Sequence, residues 1–204
     1  MKRGTLLLII LVTLAGLAVA LAVSILHDGL SARATPSAFE GAVARNLRHL
    51  SIPSTARRQE NPFGPSTKIL HDACLHFADH CASCHGNDGS GDAFFGRGLY
   101  PKPPDLRKSG TQNLSDGELF WIIENGVRFT GMPAFSGHGT QDDSWKLVLF
   151  IRHLPHITPE ELAEMERNNP KSPGDREEEQ QEEDFLNGTA PKKASPPEHH
   201  NHPE

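Results

Sequence analysis

Residues 80–91 read HCASCHGNDGSG, placing two of the chain's three cysteines three positions apart with a histidine directly after the second. This group constrains the fold more than any other feature. Three cysteines always leave one over, so they cannot form a closed disulfide framework. Cys81, Cys84 and His85 therefore call for a single partner that engages all three.

Four arrangements compete for the pattern. A structural zinc site needs four ligands, usually with a second Cys/His knuckle; Cys74, His76 and His80 lie on the same helical stretch and do not form one. A thioredoxin-type pair needs a strand before it in a βαβ setting, and no strand pattern precedes Cys81. A disulfide across two intervening residues is strained and leaves His85 without a role. The remaining reading is C-x-x-C-H as covalent haem attachment, with Cys81 and Cys84 as thioethers and His85 as proximal iron ligand. It accounts for all three residues, and it needs a helix leading in and a loop leading out.

Both are legible. Ile69, Leu70, Ala73, Phe77, Ala78 and Cys81 recur at spacings of three and four, which predicts a helix from Ser66 with these residues on one face. The stretch from Gly86 to Gly110, rich in glycine and proline, predicts a long irregular loop of the kind that wraps something. Ser115-Asp116-Gly117-Glu118 reads as a capping box opening a helix through Ile123, with Gly126 at its end. After the loop RFTGMPAFSGHGT comes a helix from about Asp142 to His153, apolar almost all round and so deeply buried. The expectation is an all-α domain of three or four short helices, two long loops and little apolar mass of its own. A haem would supply the missing core.

These segments resemble the class I c-type cytochromes over about residues 66–156. The helix HDACLHFADHCASCHG, the loop LYPKPPDL, the stretch GVRFTGMPAF and the final helix DDSWKLVLFIRHL carry the resemblance. It implies a small helical domain around one covalent haem c, with its first and last helices crossing near Ala73/Phe77 and Leu147/Phe150. It also implies that the loop through Pro103 and Pro104 passes beside His85 and orients it. Cys74 and the acidic C-terminal stretch stand outside the family pattern.

The sixth iron ligand follows by elimination. Met1 is the initiator and Met165 lies in the acidic tail, which leaves Met132, 47 residues after His85 in a Gly-Met-Pro turn flanked by Phe129 and Phe135. A thioether on a rigid loop suits haem iron and raises its potential. Two alternatives stand beside it: Met132 as a core filler, and His138 as the distal ligand. Iron with both axial positions filled favours electron transfer over catalysis, so no catalytic residue is expected. An open iron site reducing peroxide is the enzymatic alternative.

The rest of the chain sets location. Thr5 to Leu26 is an uncharged run of 22 residues preceded by Lys2 and Arg3, long enough as a helix to cross a hydrocarbon core of about 30 Å. Its flanking charges predict a cytoplasmic N-terminus and an exported domain. A cleaved signal peptide, with Ala32-Arg33-Ala34 as the cleavage site, is the rival, although signal h-regions span only about 7–15 residues. Charge divides the chain: net +4 over 1–65, −2 over 66–157 and −8 over 158–204, summing to −6. The expected organisation is an anchor (1–26), a linker (27–65) whose Arg45, Arg48, Arg57 and Arg58 rest on lipid headgroups or are simply solvated, the haem domain (66–157), and a largely disordered acidic tail (158–204) opening with a short helix capped at Thr158. In that tail His199, His200 and His202 form a flexible cluster suited to weak divalent-metal binding.

Smaller expectations concern single residues. Trp145, Arg97 and Tyr100 are candidates for packing around haem, Asp105 for a turn, Cys74 for a buried small hydrophobe, and His71, His76, His80 and His153 for helix surfaces. The functional expectation is a one-electron carrier tethered to the outer face of a bacterial cytoplasmic membrane, its haem domain in the periplasm. Its partners would be redox donor and acceptor proteins, with no nucleic acid. The alternative is a fixed cytochrome subunit of a larger membrane oxidoreductase or metal-handling complex.

Overall fold

A computed structural model describes residues 3–28, 31–137, 139–169, 180–181 and 183–188. Among them every regular element is helical. Helix α1 (Arg3–Asp28) contains a 21-residue apolar stretch, Gly4–Ser24, of mean hydropathy 3.0 with none of it buried. By length and composition it fits a membrane anchor or a signal sequence.

Helix α2 (Ala38–Ser51) is capped by the Ser37 side chain, which accepts from the Glu40 N–H, and the short α3 (Ser54–Arg57) follows. Helix α4 (Thr67–His80) starts at the Ser66 cap and presents Ala73, Cys74, Phe77 and Ala78 to the core. It runs into α5 (Ala82–His85), the single turn that carries the C-x-x-C-H group. The loop beyond is not irregular throughout: α6 (Phe94–Arg97) and α7 (Ser109–Gln112) are one-turn helices within and after it. Helix α8 (Asp116–Asn125) begins with the complete capping box, the Ser115 hydroxyl accepting from Glu118 N–H and the Glu118 carboxylate from Ser115 N–H. Helix α9 (Gln141–His153) has a second such box between Thr140 and Asp143, and α10 (Pro159–Asn168) a third between Thr158 and Glu161.

The core forms where α4 and α9 cross. Phe77 and Phe150 meet with ring centroids 5.3 Å apart and planes tilted by 52°, both sealed from solvent. Burying a phenylalanine contributes roughly 1.5–3 kcal/mol, so this pair anchors the crossing at the place the family resemblance implies. Helix α8 joins through Phe120, whose ring stacks on Trp145 at 4.1 Å and 5°. Trp145 is thus engaged by a helix neighbour.

Two segments differ from their sequence reading. The stretch expected as a linker contains α2 and α3, and it packs on the domain. Ile52 is 1% exposed, Asn61 donates to the Trp145 carbonyl at 2.9 Å, and the Ala56 carbonyl lies so close to Gly117 that no Cβ fits there. Isolated apolar residues such as Ile52 show no period, which is why they read as tether. The start of the expected tail is likewise part of the fold: α10 lies on α4, burying Met165 completely and pairing Glu164 with His71 at 3.1 Å. Met165 is unfit as an iron ligand because it is a core residue, not because it floats in a tail. The disorder expected beyond Asn169 falls almost wholly outside the described residues, as do His138, His199, His200 and His202.

Candidate functional site

The site grows out of the end of α4. Cys81 caps that helix, its N–H donating to the Phe77 carbonyl at 2.8 Å. The chain stays coiled for one more turn: the N–H groups of Cys84 and His85 both donate to the Cys81 carbonyl, at 3.2 and 2.9 Å. Gly86, at φ 79°, ends the turn, a conformation that glycine adopts without steric penalty. Cys81, Cys84 and His85 are therefore brought together by a single turn of backbone whose position is set by the α4–α9 crossing. Both cysteines are half-buried free thiols. Burial, reinforced by the neighbouring Cys84, pushes the Cys81 thiol up to about 12.

The long loop folds back over this turn and is fastened to it. Gly91 N–H donates to the His85 carbonyl at 2.7 Å, and Leu106 N–H to the Gly89 carbonyl at 2.8 Å. Two glycines make the approach possible. A side chain at Gly91 would strike the Pro103 carbonyl, and one at Gly96 would strike the Cys84 carbonyl. Arg107 then ties the loop's two halves together. It forks onto Asp105 at 2.9 and 3.0 Å and reaches Asp88 at 2.6 Å. This pairing, chiefly the hydrogen bonding to Arg107, lowers Asp105 to about 2. Asp105 also accepts from the Arg107 N–H at 3.0 Å, the turn role expected of it.

His85 has an unusual environment. Burial lowers it below the ordinary imidazole range, so its ring is neutral near pH 7, the form that offers a lone pair to a metal. The Pro104 carbonyl lies close enough to favour the protonated ring and partly opposes this shift. Yet Nδ1, sealed from solvent, lacks a partner in hydrogen-bond geometry, and it is the one such buried side-chain atom among the described residues. Buried polar atoms are nearly always satisfied, and the Pro104 carbonyl is the nearby group this ring has to pair with. Two free thiols and a neutral, half-buried imidazole on one turn are the donor set that covalent haem requires. The residues present fit the group.

Met132 lies on the second loop, half-buried. That loop is folded back on the end of α8: Val127 N–H donates to the Met132 carbonyl at 3.2 Å, Phe135 N–H to Ile123 at 3.1 Å and Ser136 N–H to Glu124 at 3.1 Å. Gly126, at φ 65°, abuts the backbone of 132–134 so closely that a Cβ would collide with it. The two loops touch each other: the space a Cβ would need at Gly131 is taken by the Leu99 methyl groups. Met132 is therefore held on a braced turn, next to the loop that covers His85.

Other candidates sort as follows. Arg97 pairs with Asp92 at 3.2 Å and the Tyr100 hydroxyl donates to Glu40 on α2. His71 and His153 pair with Glu164 and Glu161 of α10. His76 and His80 stack edge to face at 5.0 Å. Cys74 is buried in the core. Among the described residues, no group of three or more His, Cys, Asp or Glu is set up to hold a metal ion. Sequence reasoning passed over Gly91, Gly96 and Arg107; the dense glycine spacing in GNDGSGDAFFGRG was the available signal for the first two. A cleft of about 510 Å³ is lined by Ala82 and Ser83 of the turn, Phe94 and Phe95 of α6, and Leu162 and Ala163 of α10. Helix α10 is thus a neighbour of the site.

Residues 73–151 match the family model described as cytochrome c oxidase, cbb3-type, subunit III. These residues form a class I c-type cytochrome domain. Domains of this kind carry a covalent c-type haem and transfer electrons. The cytochrome match begins at Ala73 and ends at Ile151, so it takes in the second half of α4, all of α8 and nearly all of α9 but leaves out α2, α3 and α10. No curated protein matches the chain. Among solved structures, a chain of the reducing HAO-like protein complex of Kuenenia stuttgartiensis is 22% identical, with 46% of this chain and 46% of that chain covered at a TM-score of 0.41.

Proposed function

We propose that this cytochrome is a monohaem one-electron carrier held at the outer face of the cytoplasmic membrane by α1. Cys81 and Cys84 would form the two thioethers, His85 would be the proximal iron ligand and Met132 the distal one. The observation that carries this reading is the single turn of backbone that holds two free thiols and the His85 imidazole together. A haem held there supplies one-electron chemistry, its iron alternating between the ferrous and ferric states. The chain supplies the setting. The turn 81–85 fixes the spacing of the sulfurs and the imidazole, and the Pro104 carbonyl acts on the ring of His85. The Gly126–Phe135 loop holds a soft thioether in place, a ligand that raises the potential. Lys2 and Arg3 before the apolar run support an outward-facing domain.

Optical spectra of the oxidised and reduced protein, beside Met132→Ala, test the assignment. The parent should be low-spin in both states, and the variant should turn high-spin and bind cyanide or carbon monoxide readily. An unchanged variant spectrum removes Met132 from the iron and reopens the catalytic reading.

The match to a family model described as an oxidase subunit supports a second reading, that of a fixed subunit in a larger membrane oxidoreductase. Purification of the native membrane complex in mild detergent separates the two. Stoichiometric co-purification with other subunits favours the second, and a lone monomer the first.

A further inference from the structure

Helix α2 is amphipathic in the wrong sense for a domain helix. Phe39, Val43, Leu47 and Leu50 are 80%, 41%, 61% and 75% exposed. At about 100° per residue these four fall within an arc of roughly 80°. The opposite face, where Gly41, Ala42 and Arg48 are half-buried, is the one turned to the domain. No α2 residue is buried. The placement is not loose: His49 Nδ1 meets the buried Glu118 carboxylate at 2.9 Å, Arg57 reaches the His49 ring at 3.1 Å, and Glu40 accepts from Tyr100. One residue past the helix the polarity reverses, and Ile52 is fully buried while Leu50 stands in the open. A fold that seats Ile52 but leaves four large apolar side chains in a row outside is presenting that row to something.

We infer that α2 lies in the membrane interface, with the Phe39/Val43/Leu47/Leu50 stripe among the lipid acyl chains and the cytochrome domain held above it. This rests on the reading of α1 as a membrane anchor. Only residues 29–37 separate α1 from α2, at most about 3.6 Å each when extended, so α2 is never far from the bilayer surface. A short basic-flanked helix with one apolar face has the composition of interfacial helices. The charge distribution on the domain's side of α1 agrees: residues 27–65 carry five basic and three acidic groups, net +2, while 66–157 and 158–204 carry −2 and −8. The part of the chain nearest an anionic bilayer is the positive part, and the acidic parts are held away. Because α2 is clamped to α8 through Glu118, and α8 leads into the Met132 loop, burying the stripe would fix the orientation of the haem domain relative to the membrane. A swinging tether would not.

The test uses the full-length, haem-loaded protein in vesicles of phosphatidylcholine and phosphatidylglycerol. A nitroxide is attached at Val43→Cys, Leu47→Cys or, on the opposite face, Arg45→Cys, and the iron is kept ferrous so that it does not broaden the signal. Cys74 is buried and its thiol is pushed up to about 11, which leaves it unlabelled. Accessibility to oxygen relative to a water-soluble nickel complex should be several-fold higher at 43 and 47 than at 45. Labels at 43 and 47 that favour nickel, in protein that resists carbonate extraction, overturn the interfacial helix while leaving the anchor intact. Release by carbonate overturns the anchor and this inference with it. Labels shielded from both agents, with spin–spin broadening, show a second copy on the stripe and also overturn it.

Discussion

Gly96 lies directly against the carbonyl of Cys84. A Cβ at this position would fall inside the oxygen's van der Waals envelope and would stand 3.1 Å from the Gly91 carbonyl oxygen. The loop after His85 can thus close on the C-x-x-C-H turn only because residue 96 has no side chain, and the residues that follow it carry the contacts to His85.

Gly96→Ala should therefore push α6 off the turn. The expected loss is about 1–3 kcal/mol, the usual penalty for forcing a methyl into a filled space. Gly98→Ala is the control: its nearest contact is the Phe95 carbonyl oxygen at 3.5 Å, and its backbone is not left-handed. Denaturant midpoints of the two variants, with haem content per polypeptide, decide the matter. Equal midpoints would show that the loop yields at no cost.

The Asp105–Arg107 fork predicts an acid-sensitive loop. Folded Asp105 titrates at about 2, below its ordinary value of 3.8, because Arg107 binds the carboxylate form. A lowered carboxylate stabilises the fold above its unfolded pKa, and that contribution fades as pH falls through the folded value. It should be fully present above about pH 5 and be lost between about pH 4 and 2. Allowing for solvent screening, its size is about 1–2 kcal/mol. Unfolding midpoints measured from pH 6 to 2 should fall less steeply for Asp105→Asn than for the parent. Parallel curves would mean that the fork contributes nothing.

The contact between α2 and α8 is open to a double-mutant cycle. Glu118 is buried, closes the α8 capping box and meets His49 at 2.9 Å. Glu118→Ala should lose about 1–2 kcal/mol, the scale of a lost cap. His49→Ala should lose less, and the pair should show a coupling of roughly 0.5–1.5 kcal/mol. Strict additivity would mean that α2 is not energetically joined to the cytochrome domain.

Cys74 should be chemically silent in the folded protein. Desolvation, with Glu164 and Glu161 adding negative potential, raises its thiol to about 11, so roughly one molecule in a thousand carries thiolate at pH 8. Iodoacetamide at that pH should leave the native protein unmodified at residue 74 and alkylate it fully after denaturation, as mass spectrometry of the peptide reports. Rapid native labelling would place Cys74 outside the core.

Much of the cytochrome domain was readable because its signals are local. The C-x-x-C-H group, the Ser115 capping box and the spacing of Ala73, Phe77 and Ala78 each operate within one or two helical turns. The Phe77–Phe150 crossing was anticipated by family resemblance and not by any local rule. What escaped were contacts whose two halves lie far apart in the chain. Ile52, Asn61 and Met165 give no periodic signal; Ile52 is nonetheless buried, Asn61 is secured by the Trp145 carbonyl of α9, and Met165 joins the core cluster of distant helices. Gly91 and Gly96 look like any loop glycines until the carbonyls of Pro103 and Cys84 are brought against them.

The amino-acid order alone determined the close grouping of Cys81, Cys84 and His85, the helical class of the domain and the apolar run at the N-terminus, because residue spacing and helix periodicity are written at short range. Only the tertiary structure decided that α2, α3 and α10 belong to the body of the molecule, and that the α2 stripe points outward. Which face of a helix is covered depends on what the rest of the chain places against it, and a hydrophobic pattern reads the same whether its partner is a core or a lipid.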